Sequence, residues 1–133
     1  ENLIFINEKN INNMKNIIFE TVLIDEKINN IIELRKIVSK SKYVILNSDF
    51  EINKKIFENL NLNVITYGFN NKGTFTVSSI EENEIIICLQ RIIFTKNGRK
   101  IEPQEYEMKN DENIDKYTIM ASKILSILYS KNK

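Results

Sequence analysis

The sequence predicts an α/β fold: a three-layer arrangement around a partly parallel, Rossmann-like sheet, extended by an antiparallel hairpin and followed by a C-terminal amphipathic helix. Three observations predict it. Up to Gly68, short apolar runs alternate with segments of helical spacing, the grammar of strand, helix, strand. From Gly73 onward the strands follow one another directly, separated only by turns. The chain then returns to helical spacing from Ile114 to Leu128.

Taken in order, Leu3 to Ile6 reads as a short strand, and the Asn-rich stretch from Asn7 to Asn16 as a loop holding a helical turn. Ile17 to Ile24 reads as a second strand. Asp25 stands as the cap of a helix carrying Ile28, Ile31, Ile32, Leu34, Ile37 and Val38. Tyr43 to Leu46 is a compact apolar run suited to a buried parallel strand. It ends in the polar turn Asn47-Ser48-Asp49. A helix is expected next, with Ile52, Ile56, Phe57 and Leu60 on one face. Val64 to Tyr67 gives another strand, closed by Gly68. Beyond it, Thr74 to Val77 alternates as a half-buried strand should, and Ile85 to Thr95 reads as one long strand. Asn97-Gly98 is the strongest hairpin signal in the chain, and Pro103 places the returning strand, Ile101 to Met108, at an edge or a bulge. The last helix spans about five turns. Ile114, Tyr117, Met120, Ala121, Ile124, Leu125 and Leu128 form its stripe, with Asp111 or Asn113 as its cap. With no internal repeat and no linker, residues 1–133 read as a single domain.

Composition narrows the chemistry. The chain has no histidine, which excludes Ser-His-Asp and Cys-His catalysis and any His-based zinc site. Its single cysteine, Cys88, cannot form an intrachain disulfide and reads as a small core residue. Nineteen basic and eighteen acidic residues are well mixed, so no nucleic-acid footprint exists. No apolar run is long enough to span a bilayer, and the N-terminal residues lack a signal-peptide pattern; a cytoplasmic protein is expected. No cofactor and no metal are expected either.

Three segments carry a family resemblance. Val44-Ile45-Leu46-Asn47-Ser48-Asp49 resembles the strand that ends in the Asn-x-Asp-Asp-Pro loop of Mur ligases, the ATP-dependent amino-acid ligases of peptidoglycan synthesis. Val64-Ile65-Thr66-Tyr67-Gly68-Phe69 resembles the family's following strand. Tyr117-Thr118-Ile119-Met120-Ala121 is similar to its helix beginning His-Asn-x-x-Asn-x-x-Ala. The resemblance covers about residues 40–130, the later part of the family's central ATPase domain, as in short bacterial Mur-ligase-like chains that lack the phosphate-binding loop. The departures are specific. The Gly-Lys-Thr loop is absent, and Phe50 and Glu51 replace the second Asp and the Pro. On the helix, Ile114, Asp115 and Thr118 stand where the family has His, Asn and Asn. The carbamylated lysine and the C-terminal domain have no counterpart. The resemblance therefore implies a scaffold without ATP binding.

Candidate ligand-binding residues follow from position. Asn47 and Asp49 sit at the carboxyl end of a presumed parallel strand, where open α/β sheets hold ligands, although a turn and a helix cap explain them as well. Tyr67, Gly68 and Lys72 mark the next strand end. Gln90 and Arg91 interrupt an apolar run and must find partners. Arg91 is expected to pair with Glu102 or Glu105 across the hairpin. The alternative is a groove in which Gln90, Arg91 and Gln104 bind a carboxylate or phosphate. The expectation is a non-catalytic Mur-ligase-like binding or assembly module; the alternative is a small-molecule sensor or enzyme using the carboxyl edge of the parallel strands. Glu102, Pro103, Glu105 and Glu107 blunt one sheet edge, while Leu3 to Ile6 leaves the other unguarded, so a homodimer burying at least ~1,000 Å² is also expected.

Overall fold

The computed structural model describes residues 3–130 other than 15 and 53. Among the described residues the strands form a mixed sheet of seven and a separate pair. The chain divides into two compact units, residues 1–66 and 67–133.

In the first unit, β1 (Leu3–Phe5), β2 (Thr21–Ile24) and β3 (Tyr43–Asn47) run parallel, with β2 in the middle. Every residue of β2 and β3 is buried, as expected of parallel strands covered on both faces. One set of alternate residues, Val22, Ile24, Val44 and Leu46, packs with Leu34, Ile37 and Val38 of helix α1 (Ile31–Val38) and with Ile6, Ile11 and Ile56. The expected strand from Ile17 is shorter: Ile17 and Ile18 are exposed and lead into β2.

Two expected helices are corrected here. Helix α1 starts at Ile31, not after Asp25. Asn30 is its cap, accepting the Glu33 N–H at 3.3 Å, and the Glu8 carboxylate accepts the N–H groups of Asn29 and Asn30 just before it. Between Phe50 and Leu60 the only helical piece described is a 3₁₀ turn at Lys54–Ile56. The Arg35 guanidinium donates to the carbonyls of Lys55 and Ile56 at 2.8 and 3.1 Å, and Asn59 takes a left-handed φ of 61°. The segment's apolar side chains still reach the core: Ile56 is fully buried, with Ile52, Phe57 and Leu60 packed against it. The Asn-rich stretch near the start forms the expected turn, a 3₁₀ helix at Ile11–Asn13. The Asn7 side chain accepts the N–H groups of Lys9 and Asn10, and that of Asn10 accepts the Asn7 N–H. Strand β4 (Asn63–Tyr67) closes the unit.

In the second unit, Tyr67 at the end of β4 pairs with Phe75 at the start of β5 (Phe75–Ile80). Strands β5, β6 (Glu84–Leu89) and β9 (Gln104–Lys109) are antiparallel, with a bulge in β5 between Val77 and Ser79. Ile85, Ile87 and Leu89 bury one face of β6; Cys88 points to the other and is half-buried rather than in the core. The expected long strand breaks at Gln90-Arg91, and the returning strand breaks at Pro103. The fragments β7 (Ile93–Phe94) and β8 (Lys100–Ile101) pair with each other. Their tip is a four-residue turn: the Gly98 N–H donates to the Thr95 carbonyl at 2.9 Å, and Gly98 alone is left-handed, at φ 81°. This is the hairpin with a bulged glycine, not the two-residue form, because Asn97 keeps a negative φ.

Helix α2 (Lys116–Leu128) is 13 residues long, shorter than expected, and Asp115 stands at its cap position. The Asp111 carboxylate instead accepts the Asn113 N–H, an Asx turn that delays the start. Ile119, Met120, Ala121, Ile124, Ile127 and Leu128 are its buried residues; Ile114 lies outside it and is exposed. At the C-terminal end, the Lys96 N–H from the β7–β8 tip donates to the Leu128 carbonyl at 2.8 Å, satisfying one of the helix's terminal acceptors.

Candidate functional site

The residues singled out by sequence gather in two places, one in each unit. At the end of β3, Asn47 is buried to 1% exposure. Its amide nitrogen donates to the carbonyl and carboxylate of Asp25, at 3.4 and 3.3 Å, and its side-chain oxygen accepts the Asp49 N–H at 3.0 Å. That is an Asx turn locked to the strand end next door. The Asn47 side chain is engaged at both ends, with Asp25 and with the Asp49 backbone, and Asp49 is half-buried in the same turn.

In the second unit, Tyr67, Gly68, Lys72, Gln90 and Arg91 come together around the loop 68–74. Tyr67 is wholly buried, its ring edge-on to Tyr117 with centroids 6.4 Å apart, and Phe69 meets the same ring at 5.2 Å. The Gly68 N–H donates to the Phe75 carbonyl. Gly68 has a negative φ, so its conformation does not demand glycine. Lys72 is exposed, and its N–H donates to the Asn70 side chain at 2.8 Å.

Gln90 and Arg91 supply the main feature of this loop. The Gln90 side chain donates to the carbonyls of Asn71 and Gly73 at 2.9 and 2.7 Å, and its backbone N–H donates to that of Thr74 at 2.8 Å. Arg91 donates to the Lys72 carbonyl at 2.7 Å and to the Thr74 hydroxyl at 3.4 Å. The Thr76 hydroxyl is shared between the carbonyls of Phe69 and Asn70 at 3.4 and 3.2 Å. Six consecutive carbonyls, Phe69 to Thr74, are thus each accepted into one clamp built on the strands that flank the loop. This corrects the expected pairing of Arg91 with Glu102 or Glu105: Glu102 pairs with Lys100 at 3.1 Å, and the guanidinium turns to the loop. Gln104, grouped with Gln90 and Arg91 as a possible groove, instead lines a separate cleft beside α2. Thr76 was missed by sequence reasoning. Its signal was a hydroxyl-bearing, β-branched residue in a strand, which reads equally as strand propensity.

Among the described residues, no group of Cys, Asp and Glu converges to hold a metal ion, and no helix is long and apolar enough to cross a membrane. No family model matches the chain, and neither does any curated protein or solved structure.

Proposed function

We propose that this chain is a non-catalytic binding or assembly module: a Mur-ligase-like scaffold without nucleotide-binding capacity, working in the cytoplasm. The supporting observation is the occupation of both strand ends. Where open α/β sheets present polar groups to ligands, Asn47, Gln90 and Arg91 hold the chain's own backbone. A side chain already bonded to the backbone must give up that bond to reach a ligand, a cost that a free side chain does not carry. Calorimetric titration with ATP, ADP and a UDP-sugar should give no saturable heat; micromolar affinity for any of them overturns the reading.

Assembly has its own support in β1. It stands at one end of the strand order, and Phe5 is 53% exposed, as are Leu3 at 39% and, on the approach to β2, Ile18 at 63%. An unguarded apolar edge is a template for another strand. A second copy of this chain is the partner we propose, burying at least ~1,000 Å² in total. Sedimentation at micromolar concentration should show twice the 15.7 kDa chain mass. A monomer alone would remove the dimer from this reading.

A further inference from the structure

The second unit carries a cleft of about 320 Å³ beside β9 and α2, at the lower end of the range for ligand pockets. Arg99, Gln104, Tyr106, Lys123 and Ser126 line it, along with the buried side chains of Ile101 and Ile127. None of its lining residues is acidic. The strand register explains why. Gln104 and Tyr106 lie opposite Leu89 and Ile87, on the buried face of β6, whereas Glu105 and Glu107 lie opposite Cys88 and Ile86 and project to the other side. Glu102, the acid nearest Arg99 in sequence, pairs with Lys100.

The cleft's cations therefore lack counter-ions. The Lys123 ammonium sits 4.8 Å from the centre of the Tyr106 ring, and no carboxylate pairs with it among the described residues. The Arg99 Nε–H is buried without an acceptor. A guanidinium N–H removed from water and left unpaired is costly, and a charged one more so. Burial holds the Tyr106 hydroxyl above the ordinary tyrosine value, against the smaller opposing pull of Arg99, so the phenol stays a proton donor at neutral pH. Side chains bearing a planar guanidinium, a compact ammonium and a phenol thus line one volume.

We propose that this cleft binds a phosphate dianion, free or as the head of a small phosphomonoester. Two cations with no acid call for two negative charges. A tetrahedral oxyanion also offers one edge to the guanidinium fork while leaving oxygens for the ammonium and the hydroxyl. The inference stands apart from the module reading, which concerns the strand ends and is tested with nucleotides.

The test is a titration followed by ¹H–¹⁵N NMR, including the arginine Nε–H resonances, at fixed ionic strength and neutral pH. The probes are inorganic phosphate, glycerol phosphate and succinate. Phosphate should move the Arg99 Nε–H and the amides around Tyr106 and Lys123 along a saturable curve, in the millimolar range typical of a few charge-assisted contacts. Arg99→Gln should weaken it by at least about tenfold, the loss of roughly one such contact. Lys123→Gln, whose stem is half-exposed, should weaken it as well and keeps the test decisive if the arginine variant does not fold. Tighter binding of glycerol phosphate than of phosphate assigns the ester; the reverse order assigns the free ion. Shifts that stay linear and match added sodium chloride would overturn the proposal, as would succinate binding as tightly as phosphate, or saturation unaffected by both substitutions.

Discussion

The ends of β3 and β4 meet the same problem, a chain leaving a buried strand with its polar backbone groups to satisfy, and solve it on different scales. After β3 one buried side chain, Asn47, closes the turn and ties it to Asp25. After β4 the exit is a seven-residue loop, and Thr76, Gln90 and Arg91 together take its carbonyls from outside. The difference lies in burial. Asn47 is itself shut off from water, so water cannot readily take over its side-chain bonds. Gln90 and Arg91 are exposed, so water can replace what they provide. A polar residue at a strand end thus has a global role when buried and a local one when exposed.

The comparison makes graded predictions. The largest effect belongs to the apolar face beneath the first turn: Leu34→Ala, at a fully buried position, should cost about 2–5 kcal/mol in urea unfolding. A cost under about 1 kcal/mol would mean that this face is not packed as described. Asn47→Ala should come next, at about 1–3 kcal/mol in the same global measurement, because it removes a buried side chain that ties two half-buried segments together. Gln90→Ala should cost only about 1 kcal/mol in urea unfolding while accelerating hydrogen exchange and proteolysis across residues 69–74. Equal global costs for Asn47→Ala and Gln90→Ala would erase the distinction drawn above.

The smallest effect concerns pH. Tyr106 lies above the ordinary value of 10.0 because burial disfavours the phenolate, with Arg99 partly offsetting it. The folded protein therefore holds this proton more tightly than the unfolded chain. The stability linked to it is fully present below pH 10 and is lost as pH rises through the folded-state value. Ultraviolet difference titration should show a late-ionising tyrosine that disappears in Tyr106→Phe.

Much of the fold was legible because its signals are short-range. Tyr43 to Leu46 read as a strand because an uninterrupted apolar run has few other uses, and Asn97-Gly98 marked a turn because Gly98 needs its left-handed φ. What sequence reasoning missed depends on distant partners. Ile52, Ile56, Phe57 and Leu60 keep helical spacing, but Arg35, from another element, takes the carbonyls there. The start of α1 was displaced because Glu8, far back in the chain, completes the cap at Asn30. Gln90 and Arg91 were recognised as needing partners, but periodicity could not say that those partners were loop carbonyls. The cleft at Arg99 and Lys123 was invisible for the same reason: its lining comes from a turn, a strand and a helix, and only the β6–β9 register sends Gln104 and Tyr106 to one face and Glu105 and Glu107 to the other.

The β5–β6 hairpin has a consequence in time. Its turn closes between Glu81 and Glu84, so each rung from Ile80–Ile85 to Phe75–Leu89 adds to one already made. Hairpins of this kind form in about 1–10 μs. Strands β2 and β3 can meet only after the chain between them has been gathered and α1 folded down, an entropic cost incurred before any pairing repays it. We expect the antiparallel hairpin to be the earliest protected segment in pulse-labelled refolding, with the parallel strands following; the opposite order would show that topology does not set the sequence of events in this chain.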